Sequence, residues 1–141
     1  MSALTLAAIV QLSVLGAGET YAEAHRENAE TGRPLVILVG ADWCPGCRTM
    51  KQSIMPQVEQ TGTLDKVAFA VVNSDHERSL ARQLTGGGSI PQLIMYHQTA
   101  TGWKRKTLVG AQSVRTIQSF LEQGAAADTA VRANVQQVVT R

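Results

Sequence analysis

Cysteine is scarce in this sequence, and the scarcity excludes several kinds of protein. Two cysteines in 141 residues cannot form the framework of bridges that holds small secreted domains together. An ordinary zinc site needs two further good ligands beside Cys44 and Cys47, and the three histidines, His25, His76 and His97, are scattered along the chain. We therefore expect no metal site, and the two thiols need another explanation.

An excess of charge of one sign is also missing. Thirteen basic and eleven acidic residues give a net charge of +2, and no stretch interleaves Lys and Arg with aromatic residues as nucleic-acid surfaces often do. We expect no nucleic-acid partner. A length of 141 residues with 44% hydrophobic content and no internal repeat suits one compact domain, which we expect to be a monomer.

The N-terminus lacks the Lys or Arg that usually precedes the apolar region of a secretory signal. Residues 4–15 are nevertheless apolar apart from Thr5, Gln11 and Ser13. Residues 1–18 therefore have two interpretations, a signal remnant or a buried first strand, and the apolar run is too short to span a bilayer as a helix. A signal would place the protein in an oxidising compartment. We favour an exported or periplasmic location, with the cytoplasm as the alternative.

The sequence does have a pair of thiols three positions apart, in the run Trp43, Cys44, Pro45, Gly46 and Cys47. A continuous apolar run before it predicts a central strand covered on both faces. Apolar residues then recur every three or four positions, which predicts a helix that begins at the cysteines. A leading thiolate exposed at a helix start can attack a disulfide, and a thiol one turn further on can resolve the mixed intermediate. The spacing therefore predicts redox chemistry.

Capping residues predict two more helices. Thr20 and Glu23 form a capping-box pattern for a helix of about a dozen residues, which Gly32 can close. Ser74 and Glu77 repeat the pattern and predict a short helix that begins beside them.

Three further strands are predicted, at residues 67–72, 90–96 and 103–109. The first is continuously apolar, and the last carries Lys104, Arg105 and Lys106, as is typical of an edge strand. An amphipathic helix follows, and residues 125–141 either continue it or form a loose tail.

This order of elements resembles the thioredoxin family over about residues 20–123. The resemblance depends on the Trp-Cys-X-X-Cys run at a helix start and on Ser89, Ile90 and Pro91, which open a later strand. Residues 41–47 are most similar to the thioredoxin-like domains of bacterial thiol-disulfide interchange proteins. The resemblance implies an α/β thioredoxin fold, with a central mixed sheet of four to five strands flanked by about four helices. The thioredoxin-like domain would cover residues 19–124.

The resemblance also implies a role for each residue of the cysteine motif. Cys44 matches the nucleophile, whose thiolate the backbone N–H groups and the dipole of a helix start favour. Cys47 matches the resolving cysteine. Pro45 stiffens the first turn at no cost in hydrogen bonds, Gly46 leaves room for a client chain, and Trp43 covers the disulfide from one side.

Two residues downstream complete the site that the resemblance implies. Pro91 matches a cis-proline that faces the cysteine pair and keeps metals from being held there. The backbone of Ile90 beside it would be free to pair with an extended client segment.

The sequence departs from the thioredoxin pattern where a buried Asp is expected, because that position is Leu38, and its lysine partner is absent. Reductase activity of the thioredoxin kind is therefore in question. We expect Arg48 and Asp42 to be solvated, and His97 to lie on the surface.

Together these features predict a thiol-disulfide oxidoreductase that needs no cofactor. Its partners would be protein clients and a redox partner. Oxidant, reductant and isomerase are all compatible with the dipeptide Pro45-Gly46. The alternative is a non-catalytic thioredoxin-fold binding module, or a carrier that holds Cu(I) between the two thiolates.

Overall fold

The computed structural model describes residues 19–139, so both interpretations of residues 1–18 lie outside the described part of the chain. The helices are α1 (Tyr21–Thr31), α2 (Pro45–Thr49), α3 (Met55–Gln60), α4 (Arg78–Thr85) and α5 (Val114–Val139). The strands are β1 (Leu35–Gly40), β2 (Ala68–Asn73), β3 (Gln92–Thr99) and β4 (Gly102–Val109). A π-helical turn, Met50–Ile54, joins α2 to α3, and a 3-10 turn, Thr63–Lys66, follows α3.

The four strands form one mixed sheet in the order β2-β1-β3-β4. β1 runs parallel to β2 and antiparallel to β3, and β4 is antiparallel to β3. Because α2, the π-helical turn and α3 make one interrupted helix, the described residues hold four helices around the sheet. This is the predicted α/β thioredoxin fold.

The central position of β1 explains its continuous apolar run. Val36 and Leu38 face a core shared with α3, β3 and α5, and Leu35, Ile37 and Val39 face a second core shared with α1, β2 and α4. Both faces of the strand are therefore buried, as predicted. The strand ends where the chain enters the cysteine motif, so two packed layers hold the site from behind.

The equally apolar β2 is buried on one face only. Ala68, Ala70 and Val72 are buried against α1 and α4, whereas Phe69 and Val71 are half-buried on the other face. A continuous apolar run therefore does not require burial on both faces, and β2 lies at one end of the four-stranded sheet. Its outer neighbour within the described residues is a single bridge from Glu19 to Ala70.

One predicted cap is confirmed and the other is wrong. The Thr20 side chain accepts from the N–H of Glu23, the Glu23 carboxylate accepts from the N–H of Thr20, and Gly32 closes α1 with φ of 71°. Ser74 caps no helix, because α4 begins only at Arg78. The backbone carbonyl of Asn73 accepts from His76 and Glu77 instead, so a turn occupies the residues that were expected to be helical.

Helix α5 has 26 residues and continues from residue 125 to Val139 without a break. Its first half packs over β3 and α3. Further along, the Arg132 guanidinium donates to the backbone carbonyl of Thr31 and pairs with Asp128, which attaches the helix to the end of α1. None of the helices in residues 19–139 is long and apolar enough to cross a membrane.

Candidate active site

Cys44 lies where the chain turns from β1 into α2. Its backbone is extended, with φ of −84° and ψ of 119°, and it is the N-cap of the helix. The backbone N–H of Cys47 donates to the Cys44 Sγ at 3.3 Å. Pro45 occupies the first turn, where its missing N–H costs no hydrogen bond. As the N-cap, the sulfur thus accepts from one of the N–H groups that the first turn of a helix leaves unpaired.

Both cysteines are free and buried. Cys44 was expected to be exposed, yet only 6% of its surface is accessible, because Ala41 and Ile90 pack against it. Its thiol donates to the carbonyl of Ile90 at 3.8 Å. The sulfur therefore meets solvent through the groove that Ile90 helps to line, and a client has to enter that groove to reach it.

Cys47 lies in the first turn of α2 and is as buried as Cys44, with 5% of its surface accessible. A Cβ built on Gly40 would lie 3.0 Å from both Cβ and Sγ of Cys47, so the absent side chain of Gly40 admits the thiol. Burial, together with the hydrogen bond to Cys44, raises the pKa of the Cys47 thiol to about 11. At neutral pH Cys47 is therefore protonated, which suits a thiol that acts second.

A cavity of about 220 Å³ lies next to Cys47 and is also lined by the buried Leu38 and the half-buried Val71. These are the positions where the thioredoxin pattern has its Asp and a neighbouring Lys. The exposed Lys51 and Asp42 also line the cavity. Among the described residues, Asp42 supplies the one carboxylate in this lining, and apolar side chains stand at the two positions of the thioredoxin Asp and Lys.

Pro91 faces the cysteine motif, and the peptide bond between Ile90 and Pro91 is cis. A Cβ built on Gly46 would lie 3.3 Å from Cδ of Pro91 and 3.9 Å from Cβ of Ala111. The space beside Gly46 was expected to admit a client chain, but the ring of Pro91 fills it. Gly46 is thus a packing residue that lets Pro91 approach the cysteine turn.

Trp43 lies beside Cys44 and lines the same groove. Its indole Nε1 donates to the Asp75 carboxylate at 3.0 Å, and 65% of its surface is exposed. The side chain was expected to cover the cysteine pair from one side. In the structure the indole forms one wall of the groove instead. Its hydrogen bond to the turn before α4 holds the indole in place.

The groove at Cys44 has a volume of about 560 Å³ and lies between the Trp43 turn, α4 and the segment before β3. The N–H of Ile90 has no hydrogen-bond partner within residues 19–139, as strand addition by a client requires. Two residues that line the groove, Arg78 and Arg82, were not predicted from the sequence. The two arginines are four positions apart on α4, and Ala81 and Leu84 of that helix are buried. This spacing places both arginines on one exposed side of the helix.

Arg48 and Asp42 are exposed, as expected. The Arg48 guanidinium donates to the backbone carbonyl of Asp42 at 3.2 Å, and the Asp42 carboxylate accepts from the Asn73 amide at 3.4 Å. These contacts hold the turn between β1 and α2 and involve neither sulfur.

His97 is not on the surface as expected, since only 4% of it is accessible. It lies on β3 beneath α5, and a Cβ built on Gly124 would lie 3.6 Å from the His97 Cβ. Its Nδ1 has no hydrogen-bond partner in the described part of the chain. Burial, with a smaller contribution from Lys106, lowers the pKa of His97 below the ordinary value of 6.5. The prediction was wrong because it did not anticipate how far α5 covers β3.

Comparison with known proteins agrees with this geometry. A family model described as thioredoxin-like matches residues 17–97, whereas no curated protein matches the chain. Among solved structures, a thioredoxin from Thermus thermophilus has a TM-score of 0.63 at 20% identity, with 77% of this chain and 85% of that chain covered. Trichomonas vaginalis thioredoxin has a TM-score of 0.56 at 24% identity, with 75% of this chain and 92% of that chain covered. The C-terminal domain of Neisseria meningitidis DsbD, in its oxidised form, has a TM-score of 0.54 at 19% identity, with 77% of this chain and 98% of that chain covered.

Proposed function

The chain belongs to the thioredoxin-like family, whose model matches more than half of it, and on this premise we propose that it is a thiol-disulfide oxidoreductase acting on protein clients. One observation carries the proposal. Cys44 caps a helix and opens on a groove, while Cys47 is buried one turn behind it with a raised pKa. Two thiols with such different surroundings suit the two successive steps of disulfide exchange.

In the first step the Cys44 thiolate attacks one sulfur of a client disulfide. The client S–S bond breaks, a bond forms between Cys44 and that sulfur, and the other client sulfur leaves as a thiolate that takes a proton from solvent. The N–H of Cys47 stabilises the attacking thiolate through its hydrogen bond of 3.3 Å. The client segment lies along Ile90, whose N–H is available to pair with it.

In the second step Cys47 loses its proton and attacks the Sγ of Cys44. The mixed disulfide breaks, the second client sulfur leaves as a thiolate, and the protein holds a disulfide between Cys44 and Cys47. Two electrons have then passed from the protein to the client. The same steps in reverse oxidise a client dithiol, so the chemistry supports either direction.

The test is turnover of a synthetic two-chain peptide disulfide, with dithiothreitol to return the protein to its dithiol form. We expect turnover above the background rate of dithiothreitol alone, and its loss in Cys44→Ser and Cys47→Ser. A well-folded dithiol that does not exchange with the peptide would contradict the proposal. If such a protein also bound Cu(I) tightly, the carrier function would replace it.

A further inference from the structure

We propose that the groove beside Cys44 selects client segments that carry a carboxylate side chain close to the reacting cysteine, and that Arg78 and Arg82 recognise it. This inference rests on the proposed function and adds the substrate class. It concerns acidic segments of a protein client, not small anions.

The two arginines lie on one side of α4 and both line the groove that contains Cys44. No ion pair or hydrogen bond joins the Arg82 guanidinium to another described residue. Arg78 donates through Nε to the backbone carbonyl of Asp75 at 3.4 Å, which leaves its terminal nitrogens for a ligand. Exposed guanidinium groups that lack carboxylate partners are suited to bind one bidentately.

Within residues 19–139, Asp75 is the one carboxylate in the groove lining, and it already accepts from the Trp43 indole at 3.0 Å. The groove therefore has two cationic side chains against one acidic side chain. A client carboxylate would be attracted to α4, and a client lysine at the same place would be repelled.

Arg78, Arg82 and Ile90 line the same groove, so a client segment paired at Ile90 would pass beside α4. A client segment that pairs with the free N–H of Ile90 is extended, so its alternate side chains point the same way. With the client cysteine at Cys44, a side chain two positions away lies on the same side of the segment as the cysteine. That is the client position at which we expect α4 to act.

The arginines are exposed, so their attraction is moderate and weakens with salt. We expect a Glu at that client position to raise kcat/KM about two- to fivefold over Gln, and a Lys to lower it by a similar factor, at low ionic strength. Raising the salt concentration reduces both differences, because the attraction is electrostatic.

The experiment uses three peptide disulfides of equal length that differ only in Glu, Gln or Lys two residues from the cysteine. With the native chain we expect the order Glu, Gln, Lys in kcat/KM. Arg82→Gln and Arg78→Gln should each reduce the spread, and Arg82→Glu should reverse the order. Arg115→Gln is the matched control, since Arg115 is exposed on α5 and does not line the groove.

Three results overturn the proposal while the proposed function stands: equal turnover of the three peptides, an order that survives both groove variants, or an equal loss of preference in Arg115→Gln. The last result would assign the preference to the overall charge of the protein. If the native chain turned over none of the peptides, the proposed function itself would fail, and the acidic preference with it. Thermal unfolding is measured for each variant, and only variants with a cooperative transition are included in the comparison.

Discussion

Cys44 and Cys47 belong to one motif but have different surroundings. The first accepts the N–H of Cys47 at a helix start, and the second is enclosed by Gly40 and the apolar wall of Leu38. The residue types explain this difference, since Leu38 offers no charge to share a proton with Cys47. In the proposed exchange the proton of Cys47 passes to solvent or to the carboxylate of Asp42, which lines the same cavity.

The raised pKa of Cys47 predicts how the rate of the second step changes with pH. Burial is the largest cause of the raised Cys47 pKa and persists when Cys44 is held in a mixed disulfide. The fraction of reactive thiolate should therefore grow about tenfold per pH unit from pH 7 to about pH 9. A mixed disulfide of Cys44 with thionitrobenzoate, followed by stopped-flow absorbance, should release its thiol at a rate that rises accordingly. A rate that levels off below pH 9 would contradict the account, and Cys47→Ser should show no such release.

Gly40 makes a second prediction at the scale of one residue. An added methyl group would lie 3.0 Å from the Cβ and Sγ of Cys47, so Gly40→Ala should lower the free energy of unfolding by about 1–3 kcal/mol. Denaturant unfolding measures this loss. In a Cys47→Ala background the loss should be smaller, because the sulfur is gone. Equal losses in both backgrounds would show that the sulfur of Cys47 does not contribute to the clash, since the Cβ at 3.0 Å is present in both.

Among the elements, α5 buries residues of β3 whose burial could not be predicted from the sequence. Its apolar face is readable from the spacing of Ile117, Phe120 and Leu121, which are buried as an amphipathic helix requires. Which residues of β3 lie beneath it depends on where the helix crosses the sheet. His97, near the end of β3, lies beneath α5 beside Gly124.

The buried His97 predicts a loss of stability in acid. Its folded pKa is lowered, so the unfolded chain takes up a proton first as the pH falls through 6.5, and folding stability declines below that pH. The free energy of unfolding should therefore fall less steeply between pH 7 and pH 5 in His97→Gln than in the native chain. His76→Gln, at an exposed histidine, should keep the native slope. Parallel slopes for the native chain and His97→Gln would contradict this reading.

Across the whole molecule, the predictable features were those that local patterns encode. The run before Cys44, the capping box at Thr20 and the turn at Pro91 identify the strand, the helix and the fold from a few residues each. The groove could not be predicted from local patterns, because Arg78 and Arg82 line it together with Cys44 only after α4 and β1 have packed together. The enclosure of Cys44 by Ile90 depends on the same packing between segments far apart in sequence.

The central claim is that Cys44 attacks and Cys47 resolves. The most direct test incubates Cys47→Ser and Cys44→Ser separately with the peptide disulfide and counts covalent adducts by mass spectrometry without reductant. The account predicts close to one mixed disulfide per chain in Cys47→Ser, where resolution is blocked, and few in Cys44→Ser, where the remaining thiol is Cys47, whose pKa burial raises. Equal trapping by the two variants would contradict it.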